Sequence, residues 1–151
     1  MIFIGIDPGL RSGAIGAIDH NGAFVYCADV AADGERINVR RLKDQLLYCI
    51  PVGDVAEIVI EDVFVMPGQG SSSTDKFMRA AGAMEAVCLL TATTHVVRPQ
   101  KWKKEMALTS EKQDSLDMAR AMWPDADLKL KKHHGKAEAL LIAEWLRRQF
   151  A

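Results

Sequence analysis

Cysteine is scarce in this chain, with three residues among 151, and Cys27, Cys49 and Cys88 are widely spaced and set in apolar surroundings. That number and spacing exclude a zinc-binding Cys pattern and a disulfide framework, and read as buried, reduced thiols. Long apolar runs are absent as well: none approaches the ~20 residues that span a bilayer. Met1 leads directly into a strand-like pattern, so neither a signal peptide nor a membrane partner is expected, and a cytoplasmic location follows. Internal repeats, low-complexity tracts and linker-like segments are missing too, which leaves residues 1–151 as a single domain. A large net charge is also lacking, at −1, and this average alone argues against a nucleic-acid partner.

The distribution of that charge says something different. Residues 1–97 hold 7 Lys/Arg against 12 Asp/Glu, whereas residues 98–151 hold 12 against 8. The basic excess is concentrated in Lys101-Trp102-Lys103-Lys104 and in Lys129 to Lys136. An acidic site beside a basic rim is what a metal-dependent enzyme acting on a polyanion requires. Solvated helix faces would produce similar runs.

The acids themselves stand in unusual places. Ile2-Phe3-Ile4-Gly5-Ile6 runs straight into Asp7, and Pro8-Gly9 breaks the chain at once. The pattern is a buried strand carrying one carboxylate to its own end. It recurs at Ile58-Val59-Ile60, which stops at Glu61-Asp62. A charge at the end of a core strand is too costly to keep unless it is paired, hydrogen-bonded or metal-bound. Two such strands suggest one site for a hard cation.

Between and beyond these strands the chain alternates. Residues 13–19 read as a second strand, and Asp19-His20-Asn21-Gly22 as a turn into a third, over 23–28. The small residues Gly13, Ala14, Gly16 and Ala17 let the second strand pack closely. An amphipathic helix is expected over 39–48, a strand over 57–61, and a polar loop over 67–73. A long helix capped by Ser73 or Thr74 runs on to about Leu90. A short strand follows over 94–97, then a Lys-rich segment opened by Pro99, a helix over 111–122 ended by Trp123-Pro124, and a last helix to about Arg148. Three meandering strands followed by alternating helix and strand make an α/β chain, with a mixed five-stranded sheet flanked by helices. This is the layout of the RNase H-like fold.

On the last helix, His134 and Glu138 are four residues apart and share a face. Glu138 is surrounded by Ala137, Ala139, Leu140, Leu141 and Ile142. It either reaches water past these neighbours or completes a metal-binding set with Asp7 and Glu61.

Taken in order, three segments resemble the RuvC family of Holliday-junction resolvases: Ile4-Gly5-Ile6-Asp7-Pro8-Gly9, then Ile60-Glu61-Asp62-Val63-Phe64-Val65-Met66, then Lys136-Ala137-Glu138-Ala139-Leu140-Leu141-Ile142-Ala143. Val97-Arg98-Pro99 and Trp102-Lys103-Lys104 fall where that family has a Pro and a Lys before the next helix. The last segment departs from the family, which commonly has two aspartates three apart. Glu138 matches the second, and the first falls on Gly135 or on His134.

The resemblance implies a crossover junction endodeoxyribonuclease acting by two-metal phosphodiester hydrolysis, with two Mg²⁺ or Mn²⁺ ions per active site. Asp7 would bridge the ions, Glu61 would hold the one that activates water, and Glu138 and His134 would hold the other. His134 could instead be the general base. Phe64 would stack on an unpaired base, worth about 1–3 kcal/mol, or is simply core. Arg11, Arg79, Lys101, Lys103, Lys104, Lys131 and Lys132 are candidate phosphate contacts, Lys103 foremost. Branched double-stranded DNA is the implied partner, and a two-fold homodimer is the implied assembly, for which the small-residue helix 80–86 offers a surface. An ATP-binding hairpin of the actin and sugar-kinase type needs two domains, so no nucleotide cofactor is expected. A YqgF-type RNA-processing nuclease and a catalytically silent junction-binding module are the alternatives.

Overall fold

Alternation along the first strand decides which side of the sheet each residue serves. The protein was studied as a computed structural model, which describes residues 1–64, 68 and 70–151. In β1 (Ile2–Asp7), Ile2, Ile4 and Ile6 enter one core and Phe3 the other, so Gly5 and Asp7 share the side of Phe3. β2 (Ala14–Asp19) and β3 (Phe24–Asp29) follow as an antiparallel meander, and Asp19 accepts the Asn21 and Ala23 amides in the turn between them at 2.8 and 2.9 Å. The polar stretch that follows contains a two-stranded ribbon, β4 (Ala32–Asp33) and β5 (Arg36–Ile37), too short to be read from alternation.

β6 (Ala56–Glu61) and β7 (Thr93–Val97) complete a mixed five-stranded sheet in the order β3-β2-β1-β6-β7, with β1, β6 and β7 mutually parallel. Its isoleucine-rich side is covered by α1 (Val39–Cys49) and α2 (Ser71–Thr91). Asn38 caps α1 by accepting the Arg41 amide at 3.0 Å, and Leu42, Leu46 and Cys49 form its buried stripe. The other side is covered by α3 (Pro99–Glu105), α4 (Lys112–Met122) and α5 (His134–Gln149), the last entered through a single 3₁₀ turn, Lys131–His133. Pro99 sits at the first turn of α3, where its missing N–H costs nothing.

The expected start of α2 needs correction. Its cap is Gly70, with no side-chain bond, and Ser71, Ser72 and Ser73 form its first turn. The expected loop over 67–73 is therefore helical from Ser71, while Pro67 and Gln69 lie outside the described residues, as do Val65 and Met66.

Two glycines set the height of α5 above the sheet. A Cβ on Gly5 would fall 2.6 Å from the Ala143 nitrogen and closer still to the Ala139 carbonyl oxygen. A Cβ on Gly16 would fall 2.7 Å from the Ala139 carbonyl carbon. The helix backbone therefore rests directly on β1 and β2. Cys49 and Cys88 are buried and Cys27 is half-buried, all as free thiols. Among the described residues no helix is long and apolar enough to cross a membrane.

Candidate active site

Parallel register brings the first two acids together. Ile6 of β1 lies opposite Ile60 of β6, so the next residues along, Asp7 and Glu61, end adjacent strands on the side that α5 covers. α5 supplies the third acid. One turn before its contact with the two glycines comes Gly135, where a Cβ would stand 2.5 Å from the Ser12 carbonyl oxygen and 3.2 Å from Asp7 Oδ2. No side chain fits at 135, and the start of the helix runs past Asp7 as bare backbone. Of the two positions that could match the family's first aspartate, only His134 carries a functional group.

Glu138, one turn further on, is 7% exposed. Its Oε1 accepts Lys103 Nζ at 2.7 Å and the buried Ser115 hydroxyl at 3.3 Å. Glu61 Oε2 accepts the Trp102 indole N–H at 2.6 Å. Among the described residues, no side chain donates a hydrogen bond to Asp7. Burial first, and then the charges of Glu138 and Glu61, hold the Asp7 carboxyl well above the usual range, with Lys103 and Lys112 opposing them. Burial also raises Glu61, against the Trp102 hydrogen bond. His134 moves the other way: burial, with Lys112 and Lys103 adding to it, lowers its pKa against the pull of Glu138. Its Nδ1 is buried and has no partner. An imidazole biased toward its neutral form, with an unused ring nitrogen, therefore lies within the electrostatic reach of Glu138.

These residues fit a hard divalent cation as a donor set, being carboxylate oxygens and one imidazole nitrogen in a pocket that disfavours uncompensated negative charge. As they lie, no group of three His, Cys, Asp or Glu side chains among the described residues is disposed to hold a metal ion. The positive charge of Lys103 sits on Glu138 instead, and would have to yield that carboxylate to a cation.

The expected nucleic-acid contacts divide. Lys103 is inside the site. Lys101 and Lys104 are exposed on α3, Lys101 Nζ lying 5.6 Å from the centre of the Trp145 ring, and Lys131 and Lys132 are exposed in the turn that leads into His134. Phe64 follows the acid-bearing end of β6 and is 49% exposed, so it is not a core residue. Arg11 lines an open cleft of about 680 Å³ with Ser71, Ser72, Ser73, Lys76 and Phe77. Arg79 is not brought to the carboxylates. It pairs with Asp75 at 3.1 Å and lines a cleft with Arg36, Val39 and Ala83 in the α1–α2 layer, the opposite side of the sheet from α5. In the helix proposed for dimer contact, Ala80, Ala81 and Met84 are buried in the protein itself, and Gly82 opens to empty space.

Three residues near the acids were not anticipated. Lys112, at the start of α4, acts on both Asp7 and His134. Ser115 lies one turn further along the same helix, and among Gln113, Asp114 and Asp117 nothing in the sequence marks it as buried. Trp102 read as part of a basic cluster, and a tryptophan between lysines gives no hint that its N–H is spoken for.

A mixed sheet in this strand order, with acids closing its two central parallel strands and a helix crossing over them, is the RNase H-like architecture. Within that architecture the chain is similar to RuvC of Thermus thermophilus. One RuvC structure, in complex with a Holliday junction substrate, is 17% identical, with a TM-score of 0.72 and coverage of 99% of this chain and 96% of that one. A second structure of the same protein is 19% identical, with a TM-score of 0.71 and coverage of 99% and 97%. At such identities the likeness speaks for the fold. No protein-family profile matches the sequence, and no curated protein matches it.

Proposed function

We propose that this chain is a structure-selective endodeoxyribonuclease that resolves four-way and related branched DNA junctions, acting as a homodimer that nicks opposed strands symmetrically. The observation that carries the reading is the pairing of Asp7 and Glu61 on adjacent parallel strands beneath the Glu138 end of α5. The fold of RuvC, seen with a Holliday junction in one structure, supports DNA as the substrate class.

Asp7, Glu61, Glu138 and His134 would hold two Mg²⁺ or Mn²⁺ ions, which when bound supply an activated water and charge neutralisation at the leaving oxygen. The chain's own groups do the rest. Lys103 and Lys112 put positive charge where a phosphate would enter. His134, kept neutral by its surroundings, offers Nδ1 either to a cation or to a proton from water. Half-exposed Phe64 offers a ring face to a splayed base. Arg11 and the exposed lysines of α3 and the 3₁₀ turn would orient the duplex without reading its sequence.

The test is cleavage of a labelled synthetic four-way junction in Mg²⁺ and in Mn²⁺, mapped on all four strands beside Asp7→Asn. Paired nicks on opposite strands, lost in the variant while junction binding persists, are expected. His134→Ala should lose more activity in Mg²⁺ than in Mn²⁺ if the imidazole is a ligand, and equally in both if it is a base. A second reading draws on the Lys103–Glu138 pair, which already neutralises one acid: a silent junction-binding module would bind tightly and cut in neither metal.

A further inference from the structure

Among the described residues, Glu61 is the acid of the set whose side-chain partner is a wholly buried aromatic ring. Trp102 is 0% exposed and is embedded with Val97, Met106, Leu116 and Leu140 in the core beneath α5. Its ring therefore has a single orientation, and its N–H meets Glu61 Oε2 at 2.6 Å. The strand fixes only the backbone of Glu61, because a glutamate has three rotatable side-chain torsions beyond it. Among the described residues, Trp102 is the one side chain that donates to this carboxylate, and it takes Oε2 while leaving Oε1 unbonded. Lys103, the next residue, holds Glu138 through a long side chain with several rotatable torsions, whereas Trp102 holds Glu61 through a wholly buried ring.

We infer that Trp102 is a positioning residue that locks the Glu61 carboxylate with Oε2 satisfied and Oε1 presented to a divalent cation. The inference rests on the metal-site reading above and deepens it. Second partners of metal-binding carboxylates typically govern affinity by 10–100-fold, because an unrestrained ligand must be ordered at the moment of binding.

The protein carries its own control. Trp145 donates to Glu105 Oε2, also at 2.6 Å, and this chemically matched pair involves none of the proposed ligands. Trp102→Phe and Trp145→Phe each remove one indole N–H while keeping an aromatic ring. Mn²⁺ binding to the full chain would be titrated by the electron paramagnetic resonance signal of the unbound ion, with thermal melts recorded alongside. The expected result is Mn²⁺ binding weakened about 10–100-fold in Trp102→Phe and unchanged in Trp145→Phe. Equal affinity in folded Trp102→Phe and parent overturns the inference.

A measurement on the parent protein covers the case in which Trp102→Phe does not fold. In ¹⁵N spectra the three indole N–H resonances are separate probes, and saturating Mg²⁺ should shift the Trp102 signal while Trp123 and Trp145 stay in place. An unmoved Trp102 signal in a protein that does bind the ion through Asp7 also overturns the inference. Parent protein with no Asp7-dependent Mn²⁺ binding overturns the metal-site reading itself, and the inference with it.

Discussion

Asp7 is held above its ordinary pKa by burial and by the charges of Glu138 and Glu61, so the folded protein binds a proton there more tightly than the unfolded chain does. The stability this lends is complete below the unfolded value, about 3.9, and is lost as pH rises through the folded one. In chelator at pH 7, Asp7→Asn should therefore melt above the parent, on the order of 3 °C higher for each ~1 kcal/mol of charge burial and repulsion relieved, and the difference should close below about pH 4. Equal melting at both pH values would mean that neither burial nor the neighbouring carboxylates disfavour the charged form of Asp7. Asp7 and Glu61 were legible in the sequence because an acid ending an apolar strand has no cheap explanation. Lys112 was not, since a lysine in the first turn of a helix looks the same whether it faces solvent or a carboxylate.

At the scale of elements, the site depends on how low α5 lies. β1 and β6 deliver their acids by register, but Glu138 and His134 arrive on a helix whose height is set by Gly5 and Gly16. Gly5→Ala forces a methyl into the Ala139 and Ala143 backbone, so a loss of about 1–3 kcal/mol or more is expected in urea unfolding. Cleavage should fall further than stability explains, because a lifted helix carries Glu138 away from Asp7. A Gly5→Ala variant with parental stability and activity would refute the close approach of helix and strand. The strands of the main sheet and helices α1, α4 and α5 could be read from period and breakers, to within a residue or two, whereas α3 was read only as a Lys-rich segment. The start of α2 could not, because three consecutive serines read as loop although serine is well suited to a helix's first turn. The β4–β5 ribbon, two residues a side, has no alternation to detect.

For the whole molecule, the charge split of the sequence becomes a division of surfaces. Lys101, Lys104, Lys131 and Lys132 lie exposed on the elements that lead to and cover the acids, whereas Arg79 belongs to the far layer. Replacing Lys104 or Lys132 by Ala should weaken junction binding at low salt and lower the slope of log affinity against log salt by about 0.9 for each phosphate no longer neutralised. Arg79→Ala should leave that slope unchanged, and binding that falls equally in all three variants would contradict this division. The position of Arg79 was beyond the sequence because a helix with many small residues does not announce which of its sides meets the sheet.

The same two-layer division sets two of the three thiols apart from the acids, while Cys27 packs on the α5 side. Cys49 on α1 and Cys88 on α2 both lie in the layer remote from the acids, and burial pushes each thiol up to about 12. At neutral pH neither can be alkylated until its helix opens, so each is a timer for the transient opening of its own element. Their labelling rates, compared with that of an unstructured thiol, would read the opening free energy of the layer remote from the acids. Scarce as cysteine is in this chain, the two buried residues give the protein a built-in pair of reporters for its own breathing.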